Sequence, residues 1–330
     1  METYLKSINY SLFKIFEEFD NAYLVGEDIE DPYGGAFKVT AGLHLKFPDR
    51  VITSPISEAA LIGVANGIAL RGMRPIVEIM FGDFLTLCID QIVNHSSKFV
   101  KMYGKTLEVP MLIRTPMGGG RGYGPTHSQS LEKLIMGIPY VKVLAPSVFH
   151  KPGEILFNVL KNSKTPTVFI ENKLLYNQFL VDENVFYVDE IENCPTAIIK
   201  NFQSDIQKPD ITILTYGGNS RFIPDILENM QKEEVNIQVV VPSSISPIPI
   251  NTILNYTKES NKIIIIEEGT KGFNWGSELA ALIYENNFEY LSNPILRISS
   301  DDDIIPTSSI QEDAMLVSKE KIERAIIQSI

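Results

Sequence analysis

A glutamate at the start of a strongly apolar segment is the first candidate for chemistry. Residues 53–60 read TSPISEAA, and residues 57–70, SEAALIGVANGIAL, are apolar nearly all round. This pattern predicts a buried helix with Ser57 as its N-cap and Glu58 in its first turn. The helix dipole favours a carboxylate there by about 0.3 to 1 kcal/mol, which is enough for a structural role. The apolar helix also predicts partial desolvation and a definite hydrogen-bond partner, as an acid or base requires.

A glycine-rich run leads to the second candidate, His127. Residues 114–130 read RTPMGGGRGYGPTHSQS. The run is no Walker loop, because Gly119 and Gly124 have the required spacing but Pro125 stands where the lysine is needed. No register through the glycines supplies GxGxxG either. A strand is expected before the run and a helix, THSQSLEKLI, after it, with His127 at the helix start facing a cleft. A structural and a catalytic role of this histidine stay equally open.

Two phenylalanines flank a break between a predicted strand and a predicted helix. In VEIMFGDFLTLCIDQIVNH, residues 77–95, the strand breaks at Gly82 and a helix is expected from Asp83, with Phe81 and Phe84 on either side. Open α/β sheets bind ligands at the carboxyl ends of their strands, so an aromatic ring there could stack on a planar heterocycle. Core packing is the commoner role of such a ring and stays open.

Cysteines and histidines give no signal for metal or disulfide chemistry. Cys88 and Cys194 lie far apart, in unlike contexts, and have neither a disulfide framework nor a metal-ligand spacing. The four histidines form no HxH or HExxH pattern. We therefore predict no metal ligand in this chain.

Composition and charge exclude several classes of protein. The chain has 330 residues, of which 44% are hydrophobic and 21% charged, so two domains of ordinary globular composition are expected. A net charge of -12 offers no clustered basic surface, which excludes nucleic acid as an expected partner. No apolar run approaches the roughly 18 residues of a membrane span. We expect a cytoplasmic protein without a membrane partner.

The elements that must position these residues alternate between short apolar runs and helix-length segments. This alternation predicts an α/β fold with a parallel sheet covered by helices. After residue 171 the periodicity decays, and a second alternation begins at residue 210. The sequence therefore predicts domains at residues 1–190 and 209–330 and a linker at residues 191–208. The strands predicted in the first domain are AYLVG (22–26), RVIT (50–53), PIVEIM (75–80), PMLIRT (110–115), VKVLA (141–145) and PTVFIE (166–171).

Six motifs, taken together and in order, resemble one known family. They are LVGEDIEDPYGGAFKVTAGL, SPISEA, GMRPIVEIMFGDF, IDQIVNHSSK, GPTHSQS and IIIIEEG. They are similar to the beta subunit of the thiamine-diphosphate-dependent decarboxylating component of 2-oxo acid dehydrogenases, a pyruvate dehydrogenase-like group of the transketolase-like superfamily. The resemblance implies a pyrimidine-binding domain at residues 1–190 and a smaller transketolase C-terminal-type α/β domain at residues 209–330.

The resemblance also implies roles for single residues. Glu58 matches the glutamate that hydrogen-bonds the aminopyrimidine ring of thiamine diphosphate, and Phe84 matches the aromatic residue that stacks on that ring. Met80 and Ile56 match residues that line the same pocket.

Two more residues complete the implied site. His127 matches the histidine of the HSQ motif, at the mouth where the 2-oxo acid and the acyl acceptor meet. Glu27 matches an acidic residue behind Glu58. The implied catalytic residues are thus Glu58 and His127.

The resemblance implies a partner as well. The family holds magnesium and the diphosphate with a GDG motif of its alpha subunit, and GDG occurs nowhere in this sequence. We therefore expect half an active site, completed by an alpha subunit in an α2β2 assembly, with magnesium held mainly by that partner. The resemblance also allows a structural potassium ion.

Two points stay open. The acyl acceptor is a lipoyl domain, a carrier-protein thiol or a sugar carbonyl. Two alternatives to the decarboxylase subunit remain: a carboligase or split transketolase-like subunit, and a non-catalytic paralogous assembly subunit.

Overall fold

The computed structural model describes residues 2–203 and 207–330, and within them thirteen strands form two sheets. The strands are β1 (Ala22–Gly26), β2 (Val51–Thr53), β3 (Arg74–Glu78), β4 (Leu112–Met117), β5 (Lys142–Leu144), β6 (Thr167–Asn172), β7 (Val185–Ile191), β8 (Cys194–Lys200), β9 (Ile211–Thr215), β10 (Ile237–Pro242), β11 (Ser244–Ser246), β12 (Ile263–Thr270) and β13 (Leu296–Ser300).

Nine α-helices lie in the same described residues. They are α1 (Tyr4–Glu18), α2 (Leu43–Lys46), α3 (Glu58–Leu70), α4 (Pro152–Asn162), α5 (Ile223–Lys232), α6 (Ile250–Thr257), α7 (Trp275–Asn287), α8 (Ser309–Met315) and α9 (Lys319–Ser329). None of the helices in the described ranges combines the length and the hydropathy that crossing a bilayer requires.

The first sheet has the strand order β11-β5-β6-β4-β3-β1-β2. Strands β1 to β6 pair in parallel, so their carboxyl ends lie along one edge. All six strands predicted for the first domain are present, with ends shifted by at most two residues. Their near-continuous apolar runs fit a sheet covered on both faces, and α1 packs against α4 on one of them. The predicted α/β class is confirmed.

Helices α1 and α4 approach so closely that their contact requires a glycine. The Ser11 hydroxyl donates to the Gly153 carbonyl oxygen at 2.6 Å. A Cβ atom at Gly153 would lie 2.0 Å from the Ser7 carbonyl oxygen, which no side chain could accommodate without moving a helix. The pair closes the core under β1 with aromatic side chains of both helices.

The second sheet has the order β13-β12-β9-β10-β8-β7, and its ITILTY, IQVVV, KIIIIEE and PILRIS strands are those the sequence predicts. Residues 194–200, expected to be linker, instead form strand β8, which pairs antiparallel with β10 and β7. Residues 204–206 of the expected linker lie outside the described residues. Strand β8 reads CPTAIIK and is largely buried, so its apolar side chains complete the second core. The division at 191–208 does not match the sheets.

One short strand joins the two halves of the chain. Strand β11 follows β10 of the second sheet directly, yet it pairs antiparallel with β5 at the edge of the first. The Ala145 N–H also donates to the Ser243 carbonyl oxygen at 2.8 Å. The two sheets therefore share apolar clusters that draw residues from both domains.

Candidate active site

The carboxyl edge of the first sheet brings four chain segments together. Glu27 follows β1, Glu58 begins the helix after β2, a 3-10 helix at Gly82–Cys88 follows β3, and the glycine run follows β4. Because these strands are parallel neighbours, the segments converge on one side of the sheet. All six predicted site residues follow the carboxyl ends of these strands, as the parallel topology requires.

Glu58 and Glu27 form an acidic pair at the start of α3. Both side chains are 7% exposed. Ser57 is the N-cap residue, but its own side chain makes no capping bond, and its N–H instead donates to Glu27 Oε1 at 3.0 Å. Burial raises the pKa of Glu27, and the neighbouring Glu58 carboxylate raises it further. The two carboxylates therefore share a desolvated region that favours protonation of one of them.

The Glu58 carboxylate is buried, as the sequence predicts, but the predicted hydrogen-bond partner is absent. Among the described residues, no side chain and no backbone N–H donates to it. Helix α3, which Glu58 begins, packs against the Gly82–Cys88 helix. Burial and the charge of Glu58 together raise the pKa of the Cys88 thiol to about 12. The Glu58 oxygens keep some access to solvent, so water or a bound molecule can donate the hydrogen bond that the protein does not supply.

Phe84 and His127 lie in one aromatic cluster. The ring centroids of Phe84 and His127 are 5.3 Å apart, edge to face. Phe81 lies between other members, 4.7 Å from His127, 5.8 Å from Phe84 and 6.1 Å from Tyr123. Phe81 and Phe84 thus pack against neighbouring rings, as the core-packing alternative expects, but both remain partly exposed. The cluster lies at the same carboxyl edge of the sheet as the acidic pair.

The segment around His127 differs from the prediction. No helix begins at His127; the chain runs as an irregular loop to a single 3-10 turn at Glu132–Leu134, so the predicted THSQSLEKLI helix is wrong. The physical reason is that its polar side chains bond elsewhere: Gln129 Nε2 donates to Asp83 Oδ1 at 2.9 Å. Thr126 Oγ1 lies 2.9 Å from His127 Nδ1 and constrains the ring.

A buried lysine that the sequence analysis does not single out holds the His127 backbone. Lys173 Nζ donates to the His127 carbonyl oxygen and lies 5.2 Å from the centre of the Phe81 ring. Burial lowers the pKa of Lys173 to about 8, although the carboxylates of Asp83 and Glu312 oppose the shift.

The remaining predicted residues take different positions. Met80 is partly buried after β3, on the same edge of the sheet. Ile56 is 84% exposed, so it could line a pocket only where another molecule covers it. The structure therefore brings Phe84 and His127 into contact, brings Glu27 and Glu58 together, and leaves Ile56 on the surface.

A buried network of charged side chains lies on strands β3, β4 and β6 of the first sheet. Arg114 on β4 donates Nη1 to Glu78 Oε2 at 2.8 Å, and its Nε and Nη2 donate to the Glu171 carboxylate at 2.7 and 2.8 Å. The Tyr176 hydroxyl donates to the same carboxylate at 2.8 Å. The sequence offered a signal, because charged residues interrupt three otherwise apolar strands.

A second acidic cluster lies between the domains. Burial raises the pKa values of Glu267 and Glu268 to about 7. Tyr216 donates its hydroxyl to Glu132, and Asn172 donates to Glu268. A cleft of about 400 Å³ opens here between residues 128–131 and the second domain. Within the described ranges, no three His, Cys, Asp or Glu side chains are arranged to hold a metal ion.

Comparisons with known proteins agree with this architecture. Residues 3–178 match the pyrimidine-binding domain of transketolase and residues 201–322 match the transketolase C-terminal domain. A solved split-gene transketolase, an inactive beta4 tetramer, superposes with a TM-score of 0.76 over 98% of this chain and 96% of its own, at 16% identity. At that identity the likeness shows the fold alone.

Sequence relatives are closer. The pyruvate dehydrogenase E1 component subunit beta of Gracilaria tenuistipitata var. liui is 33% identical over 94% of each chain. The 2-oxoisovalerate dehydrogenase subunit beta of Bacillus subtilis is 30% identical over 98% of this chain and 97% of its own. The acetoin:2,6-dichlorophenolindophenol oxidoreductase subunit beta of the same organism is 30% identical over 96% and 93%. This chain belongs to the transketolase-like family that contains the beta subunits of pyruvate dehydrogenase and related 2-oxo acid dehydrogenases.

Proposed function

We propose that this chain is the beta subunit of a two-subunit, thiamine-diphosphate-dependent enzyme that decarboxylates a 2-oxo acid and transfers the resulting acyl unit. The proposal is supported by the names of the relatives, two of which are 2-oxo acid dehydrogenase beta subunits. The observation that carries it is the largely buried Glu58 side chain, which begins an apolar helix packed against the 3-10 helix that contains Phe84 and accepts no hydrogen bond from the described residues.

The residues at the carboxyl edge fit an aminopyrimidine. Such a ring offers a nitrogen that can share a proton with Glu58 and a flat face for Phe84, with Met80 and Ile56 beside it. Burial and the nearby charge of Glu58 raise the pKa of Glu27, so Glu27 favours its protonated form. When bound, thiamine diphosphate supplies a carbon nucleophile and an electron sink for decarboxylation.

Glu58 and His127 take the catalytic roles in this proposal. A shared proton between Glu58 and the ring nitrogen is a charge-assisted hydrogen bond, roughly 1.5 to 3 kcal/mol. Acid-base assistance of this kind contributes about 10² to 10⁴ in rate. His127 lies in the aromatic cluster with Phe84, and in this proposal its ring holds or delivers a proton at the mouth of the site, where substrate and acceptor meet.

We propose that an alpha subunit with a GDG motif completes the site in an α2β2 assembly. This chain has no GDG of its own. Magnesium belongs mainly to that partner, and a structural potassium ion is part of the same proposal. The exposed Ile56 beside the buried Glu58 is consistent with a second polypeptide covering the pocket.

The test uses this chain co-expressed with its GDG-containing partner. Carbon dioxide release is measured with thiamine diphosphate and, in separate reactions, pyruvate and 2-oxoisovalerate. Glu58→Gln should lose about 10² to 10⁴ in kcat, since an amide cannot relay the proton. Glu18→Gln, an exposed glutamate on α1, is the matched control and should be fully active. Full activity of Glu58→Gln would remove its assigned role.

Other outcomes identify the alternatives. Acetoin is included as a third substrate, because an acetoin oxidoreductase subunit is as similar as the 2-oxoisovalerate enzyme. Turnover of a sugar or another carbonyl acceptor would favour a carboligase or split transketolase. No cofactor-dependent turnover with any of these substrates would favour a non-catalytic assembly subunit.

A further inference from the structure

Glu312, on α8 of the second domain, holds the loop that leads to His127. Its Oε1 accepts from the Gly120 N–H at 2.9 Å and its Oε2 accepts from the Gly122 N–H at 2.7 Å. The side chain is fully buried. We call residues 118–124 the glycine loop. This loop belongs to the first domain, so the two hydrogen bonds cross between domains.

The shape of the glycine loop is matched to that carboxylate. Gly120 and Gly122 have φ of +84° and +67°, a region in which other residues are strained. A Cβ atom at Gly119 would lie 3.0 Å from Glu312 Oε1 and 2.8 Å from Leu316 Cδ1. The backbone therefore comes closer to α8 than a side chain would permit, and successive N–H groups point at one anion.

The middle of the glycine loop is linked to His127 by a second set of contacts. Arg121 Nη2 donates to the Lys173 carbonyl oxygen at 3.1 Å, and Lys173 Nζ donates to the His127 carbonyl oxygen. The Arg121 guanidinium also lies 5.0 Å from the centre of the Phe37 ring. Movement of Gly120 and Gly122 would thus be transmitted through Arg121 to the His127 backbone.

We propose that Glu312 is a positioning residue for His127. This inference rests on the proposed function, in which His127 acts on the substrate or acceptor. Glu312 is not itself catalytic, because both of its oxygens bond to backbone N–H groups away from the cleft. Removal of one acceptor would free a loop whose glycines have no intrinsic preference for this conformation.

The first experiment measures loop order without turnover. Hydrogen–deuterium exchange of the full chain is compared between wild type, Glu312→Gln and Asp313→Asn. In glutamine an NH2 donor replaces one of the two acceptor oxygens, so one of the two N–H groups faces a donor and loses its bond. Exchange of the Gly120 or Gly122 amide should rise by about tenfold or more in Glu312→Gln. The exposed Asp313 on the same helix is the matched control and should leave the amides protected.

The second experiment is a double-mutant cycle in the assembled enzyme, with pyruvate as substrate. Glu312→Gln should lower kcat by about tenfold while changing KM by less than about threefold. In a His127→Ala background the same substitution should change kcat by less than about twofold, because its route to the reaction is gone. Asp313→Asn should be neutral in both backgrounds.

Three results would overturn the inference. They are unchanged amide exchange in Glu312→Gln, additive effects of Glu312→Gln and His127→Ala on kcat, and full activity of His127→Ala. The last result would refute the role of His127 in the proposed function. Unchanged exchange would refute only the claim that Glu312 keeps the glycine loop ordered. If Glu312→Gln does not fold, Gly119→Ala serves instead, since its Cβ pushes the loop from Glu312 and should give the same exchange pattern.

Discussion

Arg114 holds the Glu171 carboxylate with two parallel hydrogen bonds, from Nε at 2.7 Å and Nη2 at 2.8 Å. Its third nitrogen binds Glu78, and Glu78 Oε1 accepts from the Ala36 N–H at 2.7 Å. Burial raises the pKa of Glu78, and the Arg114 charge opposes that rise. One cation thus supports two buried carboxylates and, through them, the loop after β1.

Arg114→Met is expected to lower the free energy of unfolding by about 3 to 5 kcal/mol, since it leaves two carboxylates buried without their counter-ion. Urea denaturation followed by circular dichroism measures the change. Lys232→Met provides the control, because the Lys232–Glu228 pair is exposed and contributes little. A loss no greater than in the control would mean that water or another cation replaces Arg114.

Gly35 marks the place where the network meets the loop after β1. Its φ is +72°, and a Cβ atom there would lie 2.6 Å from Thr40 Oγ1 and 2.7 Å from Glu78 Oε1. Gly35→Ala should therefore destabilise the protein by about 1 to 3 kcal/mol, through backbone strain and crowding of Glu78. Thermal unfolding measures it. Gly72→Ala also has positive φ but open space around it, so a smaller loss is expected there.

His150 makes stability fall in acid. Its Nδ1 accepts from the Ser147 N–H at 3.0 Å, and its Nε2 lies 3.1 Å from the Pro195 carbonyl oxygen on β8. Burial lowers the pKa of His150 to about 4 from 6.5. The unfolded chain therefore binds a proton between pH 6.5 and 4 that the folded chain does not, and stability declines as pH falls through this window.

The expected contribution of His150 to that decline is on the order of 3 kcal/mol. Carboxylates titrate in the same range, so the measurement is the difference between wild type and His150→Gln at each pH. The difference should change steadily from pH 7 to pH 4. A constant difference would show that His150 does not titrate in this window.

Lys173 makes the stability of the protein depend on pH in the alkaline range. Burial lowers its pKa to about 8, against 10.5 ordinarily. Between pH 8 and 10.5 the unfolded chain keeps a proton that the folded chain has lost, so stability contributed at this site rises with pH. Relative to Lys173→Met, wild type should gain on the order of 3 kcal/mol across this range. Urea titrations at pH 7, 8, 9 and 10 measure the gain, and exposed Lys161→Met should show none.

The sequence predicts the framework better than it predicts the site. Short apolar runs predict the six parallel strands of the first sheet, because a strand buried on both faces has few other options, but they do not predict β11. Helix α3 is likewise expected from residues 57–70, and Glu58 lies in its first turn. The parallel order then explains why Glu58, Phe84 and the glycine loop lie on one edge.

Contacts between side chains distant in sequence determine the parts of the site that local sequence patterns do not predict. Residues 126–135 have the pattern of a helix, yet Gln129 bonds to Asp83 and Lys173 binds the His127 carbonyl oxygen, so tertiary contacts replace helical ones. The hold of Glu312 on the glycine loop joins residues about 190 positions apart, which no local pattern reveals. Glu78 and Arg114 are direct register partners on β3 and β4, and opposite charges at such positions were a usable signal.

Strand β11 limits how this protein can be divided. Its three residues, Ser244–Ser246, come from the second half of the chain but cover the outer side of β5. A fragment that stopped at the apparent boundary would present a bare row of N–H and C=O groups, an invitation to self-association. A domain exchange with a relative would need to include β11, or the edge of β5 would be left unpaired in the chimaera.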